Sequence, residues 1–330
     1  GTGYEDLTEA LSSLIEGENS ITLLKPITLP DSVTLTIAKG QSVTLDLAGK
    51  TLTSNKSGSR PIINYGTLMI NATGGGEYAC TNEGVYGMID NYGSLTINGG
   101  TFTDNGNGDG SSMKNRNADS IMEINGGTFR GTNNGRTGNA CIYNDGTLII
   151  RKGDFKNLSG ETTKTGAYCV ISNSGSITID PEKFGDVKID GMKGGIGINS
   201  GAAEINNADV TAHNYHAVWI TNDGALTEAV INGGKYAGGL YGLYATVDDG
   251  GQDESPAKII VNDGEFSGNT AAALGNRFTT QEWNLSIIKG IFSSDVSEYV
   301  ADTSIMVPDG DKFKVEVLCE SNAAAKRCGR

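Results

Sequence analysis

One phrase constrains this chain more than any other. Ile97-Asn98-Gly99-Gly100-Thr101-Phe102 returns word for word from Ile124 to Phe129. Relaxed to an aliphatic anchor followed five positions on by a ring or another apolar residue, the pattern continues. It fits Leu47/Leu52, Ile150/Phe155, Ile179/Phe184, Ile205/Val210, Ile231/Tyr236, Val261/Phe266 and Ile287/Phe292, and Ile70/Tyr78 with three residues inserted. Successive anchors lie 23 to 30 residues apart. A period in this range marks an architecture in which each repeat buries its apolar face only against its neighbours.

A second anchor precedes the first. Asn64-Tyr65-Gly66, Asn91-Tyr92-Gly93, Asn144-Asp145-Gly146, Asn173-Ser174-Gly175 and Asn199-Ser200-Gly201 each set a glycine four residues ahead of the aliphatic anchor; Asn222-Asp223-Gly224 does so with three extra residues, and the unit at 113–124 is degenerate. Asparagine and glycine both tolerate positive φ, so Asn-x-Gly is turn chemistry. Between the turns lie short alternating pieces such as Ser94-Leu95-Thr96-Ile97 and Ser176-Ile177-Thr178-Ile179, which is strand periodicity. A helical repeat would need a run of 3.6 periodicity inside each unit, and a propeller blade about 40 residues and four strands. Three short strands per unit predict one coil of a parallel β-helix, about ten coils over residues 30–293. At about 4.8 Å per coil the predicted rod is roughly 45–50 Å long, and right-handed by the general crossover rule.

On these motifs the chain resembles the right-handed, pectate-lyase-like β-helix superfamily. The stretch from Val43 to Leu52 and the ending Phe292–Val300 are similar to the first coil and the closing segment of β-helix modules from secreted bacterial surface proteins. The resemblance implies an extracellular or cell-surface location. A bare coil exposes strand edges, so the ends need caps: a helix over 4–17, where Tyr4, Leu7, Leu11, Leu14 and Ile15 share one face, and a short helix with a hairpin over 294–318. The whole reads as a single β-helix domain, 1–318, with a flexible tail at 319–330.

Stacked coils predict ladders. Tyr78, Phe102, Phe129, Phe155, Phe184, Tyr236, Phe266 and Phe292 should form an inner aromatic column, interrupted by Val210. Asn64, Asn91, Asn144, Asn173, Asn199, Asn222 and Asn276 should form one amide column, and Asn71, Asn98, Asn125, Asn206, Asn232 and Asn262 a second. Amides so stacked hydrogen-bond along the column, as in other stacked sheets. These residues hold the fold, so function must lie outside them.

The net charge of −14 repels nucleic-acid phosphates and anionic membranes, and no apolar run is long enough for a membrane span. The expected partner is a carbohydrate or a host or cell-surface polymer, bound by a monomer. The one concentration of rings points there: His213, Tyr215, His216, Trp219, Tyr241 and Tyr244 crowd together in a chain with 7% aromatic residues. Counted back from Asn222, Trp219 faces opposite Ile220 and points outward, which is what stacking on a sugar ring requires. The competing expectation is that another loop covers these rings.

Catalysis has less support. Val218-Trp219-Ile220-Thr221-Asn222-Asp223 is similar to the Trp-Ile-Asp-His strand of pectate lyases, but Thr221 and Asn222 replace its aspartate and histidine. The alternative to a binding or spacer module is a polysaccharide lyase or glycoside hydrolase, with Asp104, Asp109, Arg136, Asp145 and Lys164 as its candidates. His213 and His216 lack a third metal ligand. No cofactor is expected, apart from calcium at an acidic loop containing Asp248, Asp249 and Asp253, which reads equally as a solvated loop.

Overall fold

The computed structural model describes every residue except 1, 57–59, 81–86, 106–110, 132–139, 158–168, 223–227, 248–257, 277–283, 320–325 and 328–330. The chain divides into two compact units, Gly1–Ser176 and Ile177–Arg330. Both are built as parallel β-solenoid. There are about eight regular turns in all, or ten among the described residues when the end turns are included.

Each turn gives one strand to each of three sheets. In the first unit, Ser94–Ile97, Thr101–Asp104 and Met113–Asn115 pair in parallel with Ile121–Ile124, Thr128–Gly131 and Ile142–Asn144 one turn on. Alternation sets the faces: Leu95, Ile97, Met122, Ile124, Leu148 and Ile150 are fully buried, while Thr96, Glu123 and Ile149 between them face out. The inner rings stack as the repeat predicts. Phe102 and Phe129 lie 5.1 Å apart and Phe129 and Phe155 4.6 Å apart, nearly parallel. In the second unit Tyr236, Phe266 and Phe292 stack at 4.8 and 5.3 Å.

The corners are close enough to exclude side chains. A Cβ on Gly93 would collide with the Gly66 carbonyl oxygen, and one on Gly146 with the carbonyls of Asn117 and Ser120. Behind these corners runs the first amide ladder, fully buried. Asn64 donates to Asn91, Asn91 to Asn115, Asn115 to Asn144 and Asn144 to Asn173, at 2.6–2.8 Å. Asn115, in the unit that looks degenerate in sequence, holds its place in the column. The second ladder runs along the outer corner. Asn98 donates to Asn71 and Asn125 to Asn98 in the first unit; Asn232 donates to Asn206 and Asn262 to Asn232 in the second.

Several expectations fail, each for a local reason. Phe184 is 56% exposed: the turn around Gly185, at φ +86°, carries it outside, and Ile189, in register with Val210, fills the core position instead. Asn199, Asn222 and Asn276 do not form one column. In the second unit Asn199 lies in the turn after Ile198, which pairs with Ile220; Asn222 is opposite Val247, and Asn276 opposite Ala245. Ile198, Ile220 and Ala245, which are in register with one another, are buried. The N-terminal helix is only Leu7–Ser12, capped by Asp6, whose carboxylate accepts from the Glu9 amide at 2.8 Å. Leu7 and Ala10 are buried, whereas Tyr4 and Ile15 are exposed. At the other end the expected hairpin forms, Ser304–Asp309 with Lys312–Cys319, and lies antiparallel to Gly290–Phe292. Within the expected tail, Lys326–Arg327 pairs with Leu318 and Cys319.

Candidate ring-lined site

The ring cluster is built on the second unit. The strand Val218–Asn222 buries Val218 and Ile220 and turns Trp219 outward. Trp219 lies in register with Tyr244 of Leu243–Val247, and Tyr244 with Gly275 of Leu274–Asn276. Strand pleating alone thus puts two large side chains side by side on the outer face. Tyr215, His216 and Tyr241 come from the preceding corner, where backbone bonds clamp successive turns: the Tyr215 amide donates to the Lys193 carbonyl, Leu240 to Tyr215 and Ala217 to Tyr241. A Cβ on Gly239 would strike the His213 carbonyl, and one on Gly275 the Tyr241 ring, so glycine lets these layers close.

Five of the six expected residues meet. His216 stacks on Tyr244 with centroids 4.2 Å apart and meets Trp219 edge-on at 5.0 Å. Tyr241 lies 5.2 Å from Tyr244, and Tyr215 runs parallel to Trp219 at 6.4 Å. His216 is 4% exposed at the centre, and Tyr215 at the rim is 36% exposed. The sixth, His213, stands apart: its Nε2 lies 2.8 Å from the Asp190 carboxylate. Burial pushes the His216 imidazole down to about 4, so it is neutral at pH 7.

The rings pack on one another, which leaves some polar atoms without partners. His216 Nδ1, Trp219 Nε1 and the Asn214 side-chain Nδ2 are buried and have no hydrogen-bond partner. A buried polar atom left unpaired costs about 1–3 kcal/mol, and those of His216 and Trp219 belong to rings that touch. The indole and amide nitrogens donate, so the patch asks for acceptors. Asn214 was not singled out in sequence; its place between His213 and Tyr215 is the signal that could have found it.

The other candidates are dispersed. Asp104 is buried at the end of Thr101–Asp104, in the second sheet. Asp145 sits in the corner after Ile142–Asn144, half-buried, its carboxyl raised by that burial. Asp109, Arg136, Lys164 and the acidic loop with Asp248, Asp249 and Asp253 lie outside the described residues. Cys80, Cys141 and Cys169 are free, buried thiols pushed up to about 12 by desolvation, so they are not nucleophiles near neutral pH. Among the described residues no helix is long and apolar enough to cross a membrane. Comparison of the chain with family models, with curated proteins and with solved structures gives no match.

Proposed function

We propose that the protein is a non-catalytic module that binds a carbohydrate or a host or cell-surface polymer through the ring cluster of its second unit. The observation that carries this reading is the coincidence of an open aromatic rim with unpaired polar atoms. Tyr215 and Trp219 are parallel, 9° apart, and Tyr215 offers an exposed face to the apolar C–H side of a sugar. Beside it Trp219 Nε1 lacks an acceptor and His216 Nδ1 lacks any partner, both buried under the rings. Sugar hydroxyls are acceptors and donors together, and pair with these atoms once the rim rings shift to admit them. Few convergent polar groups set among rings are the ordinary composition of a small-ligand site.

The setting we assign follows the resemblance. The module belongs to the pectate-lyase-like β-helix superfamily and works outside the cell, as part of a secreted or surface-attached bacterial protein. The opening around Val43–Leu52 and the closing Phe292–Val300 support this.

A glycan array tests the reading. Binding to a defined glycan class, lost in Trp219→Ala and Tyr215→Ala with the fold retained, is the expected outcome. No binding at all, or binding indifferent to both substitutions, leaves only a rigid spacer.

A further inference from the structure

A different chemistry occupies the outer corner of the first unit. The residues that follow the ladder asparagines there are Tyr65, Tyr92, Arg116 and Asp145. The amides of Tyr92, Arg116 and Asp145 each donate at 2.8 Å to the asparagine carbonyl one turn earlier. The residues that precede the asparagines, Asp90, Lys114 and Tyr143, stand in register beside them. Tyr65 and Tyr92 stack at 5.0 Å and 17°, with Tyr65 48% exposed.

Beneath them lies a charge cluster. Arg60, 4% exposed, donates to the Ser111 and Ser112 carbonyls and is ion-paired through Nε with Asp90. The other Asp90 oxygen accepts from Arg116 Nη2 at 2.8 Å. One carboxylate is therefore shared by two guanidinium groups. Lys114 Nζ lies 5.6 Å over the Tyr143 ring and makes no hydrogen bond or ion pair with any described residue. Arg116 Nε is buried without an acceptor. Around Lys114, the charges of Arg60 and Arg116 are met by those of Asp90 and Asp145; Asp104 acts on Arg60 from the adjacent sheet. The three ammonium protons of Lys114 are thus unpaired among the described residues, beside the part-exposed Arg116 side chain and one turn from the Tyr65–Tyr92 stack.

We propose that this corner binds an anionic group, a carboxylate or a sulfate ester, carried by a sugar that packs against the Arg116 end of the Tyr65–Tyr92 stack. The donors Lys114 and Arg116 match a planar or tetrahedral oxyanion. Tyr92 stands one turn from Arg116, about 5 Å at the spacing of stacked strands, and Tyr65 backs it in the stack, so the acid and the packed ring belong to one sugar. With a net charge of −14 the protein repels densely charged polymers, so the fitting ligand is a sparsely acidic glycan.

The test is calorimetric titration at low ionic strength with glucuronic acid, glucose 6-sulfate, glucose and sodium sulfate, on wild type, Lys114→Gln, Tyr65→Ala and Trp219→Ala, with circular dichroism as the check on folding. Binding of at least one acidic sugar, at least tenfold weaker for glucose and for Lys114→Gln, supports the proposal, and the preferred acid identifies the group. Tyr65→Ala should weaken the acidic sugar and leave inorganic sulfate unchanged. Trp219→Ala should change nothing, which separates this site from the ring cluster. Failure of both acidic sugars to bind overturns the proposal. So does binding that Lys114→Gln does not weaken, or binding of inorganic sulfate alone.

Discussion

The imidazole of His216 lies parallel to the phenol of Tyr244, 13° from coplanar and 4.2 Å between centroids, with 4% of the residue exposed. A neutral ring is at home there and an imidazolium is not. Burial holds His216 down at about 4, against 6.5 when free. The unfolded chain therefore binds the proton first as pH falls. The stabilising contribution is complete above pH 6.5, is lost progressively from 6.5 to 4, and amounts to about 3 kcal/mol at most. Urea melts across this window should show stability falling with acid in wild type and a flatter profile in His216→Phe. Identical slopes would refute a neutral buried imidazole.

The Tyr241 ring packs against the α-carbon of Gly275, where a Cβ would overlap its ring carbons. Gly275→Ala should push Tyr241 off its seat while the strand stays in place. The expected result is a glycan affinity reduced at least tenfold with a thermal midpoint within a few degrees of wild type. Unchanged affinity would remove Tyr241 from the site.

Asn115 holds four side-chain hydrogen bonds in the buried ladder. Its amide donates to Ser120, Asn144 and Thr147 and its carbonyl accepts from Asn91. Asn115→Ala strands several buried groups and should cost about 2–4 kcal/mol. Asn98→Ala, on the exposed ladder, should cost under about 1 kcal/mol. Equal losses in chemical denaturation would mean that the buried ladder is not special.

Phe129 is sandwiched between Phe102 and Phe155. Truncating it to alanine should destabilise by about 3–5 kcal/mol. Phe184→Ala, at the surface, should stay within about 0.5 kcal/mol. Paired unfolding curves would expose any error in this assignment of the column.

The architecture was legible because solenoid turns repeat their chemistry: the Asn-Gly-Gly phrase and the Asn-x-Gly corners state strand, turn and period together. What misled was assuming constant spacing. Phe184 sits five residues after Ile179 exactly as the pattern asks, yet the extra residues around Gly185 hand its place to Ile189. Asn222 and Asn276 both look like corner asparagines, yet the register sets them two positions apart, opposite Val247 and Ala245. The ring cluster was legible from local ring density and strand alternation, since both are short-range. The Arg60–Asp90–Arg116 cluster was not, because its members come from three turns and no spacing along the chain announces them.

The two asparagine ladders point opposite ways. Within the first unit the buried one hands its hydrogens forward, from Asn64 towards Asn173, and the outer one hands them back, from Asn125 towards Asn71. Reversing any single interior amide would set donor against donor on one side and acceptor against acceptor on the other. Each ladder therefore works as a one-way ratchet of orientation, fixed along its length once fixed anywhere. The two run in opposition at the two ends of the strand that separates them, so an error of orientation in one is not propagated to the other.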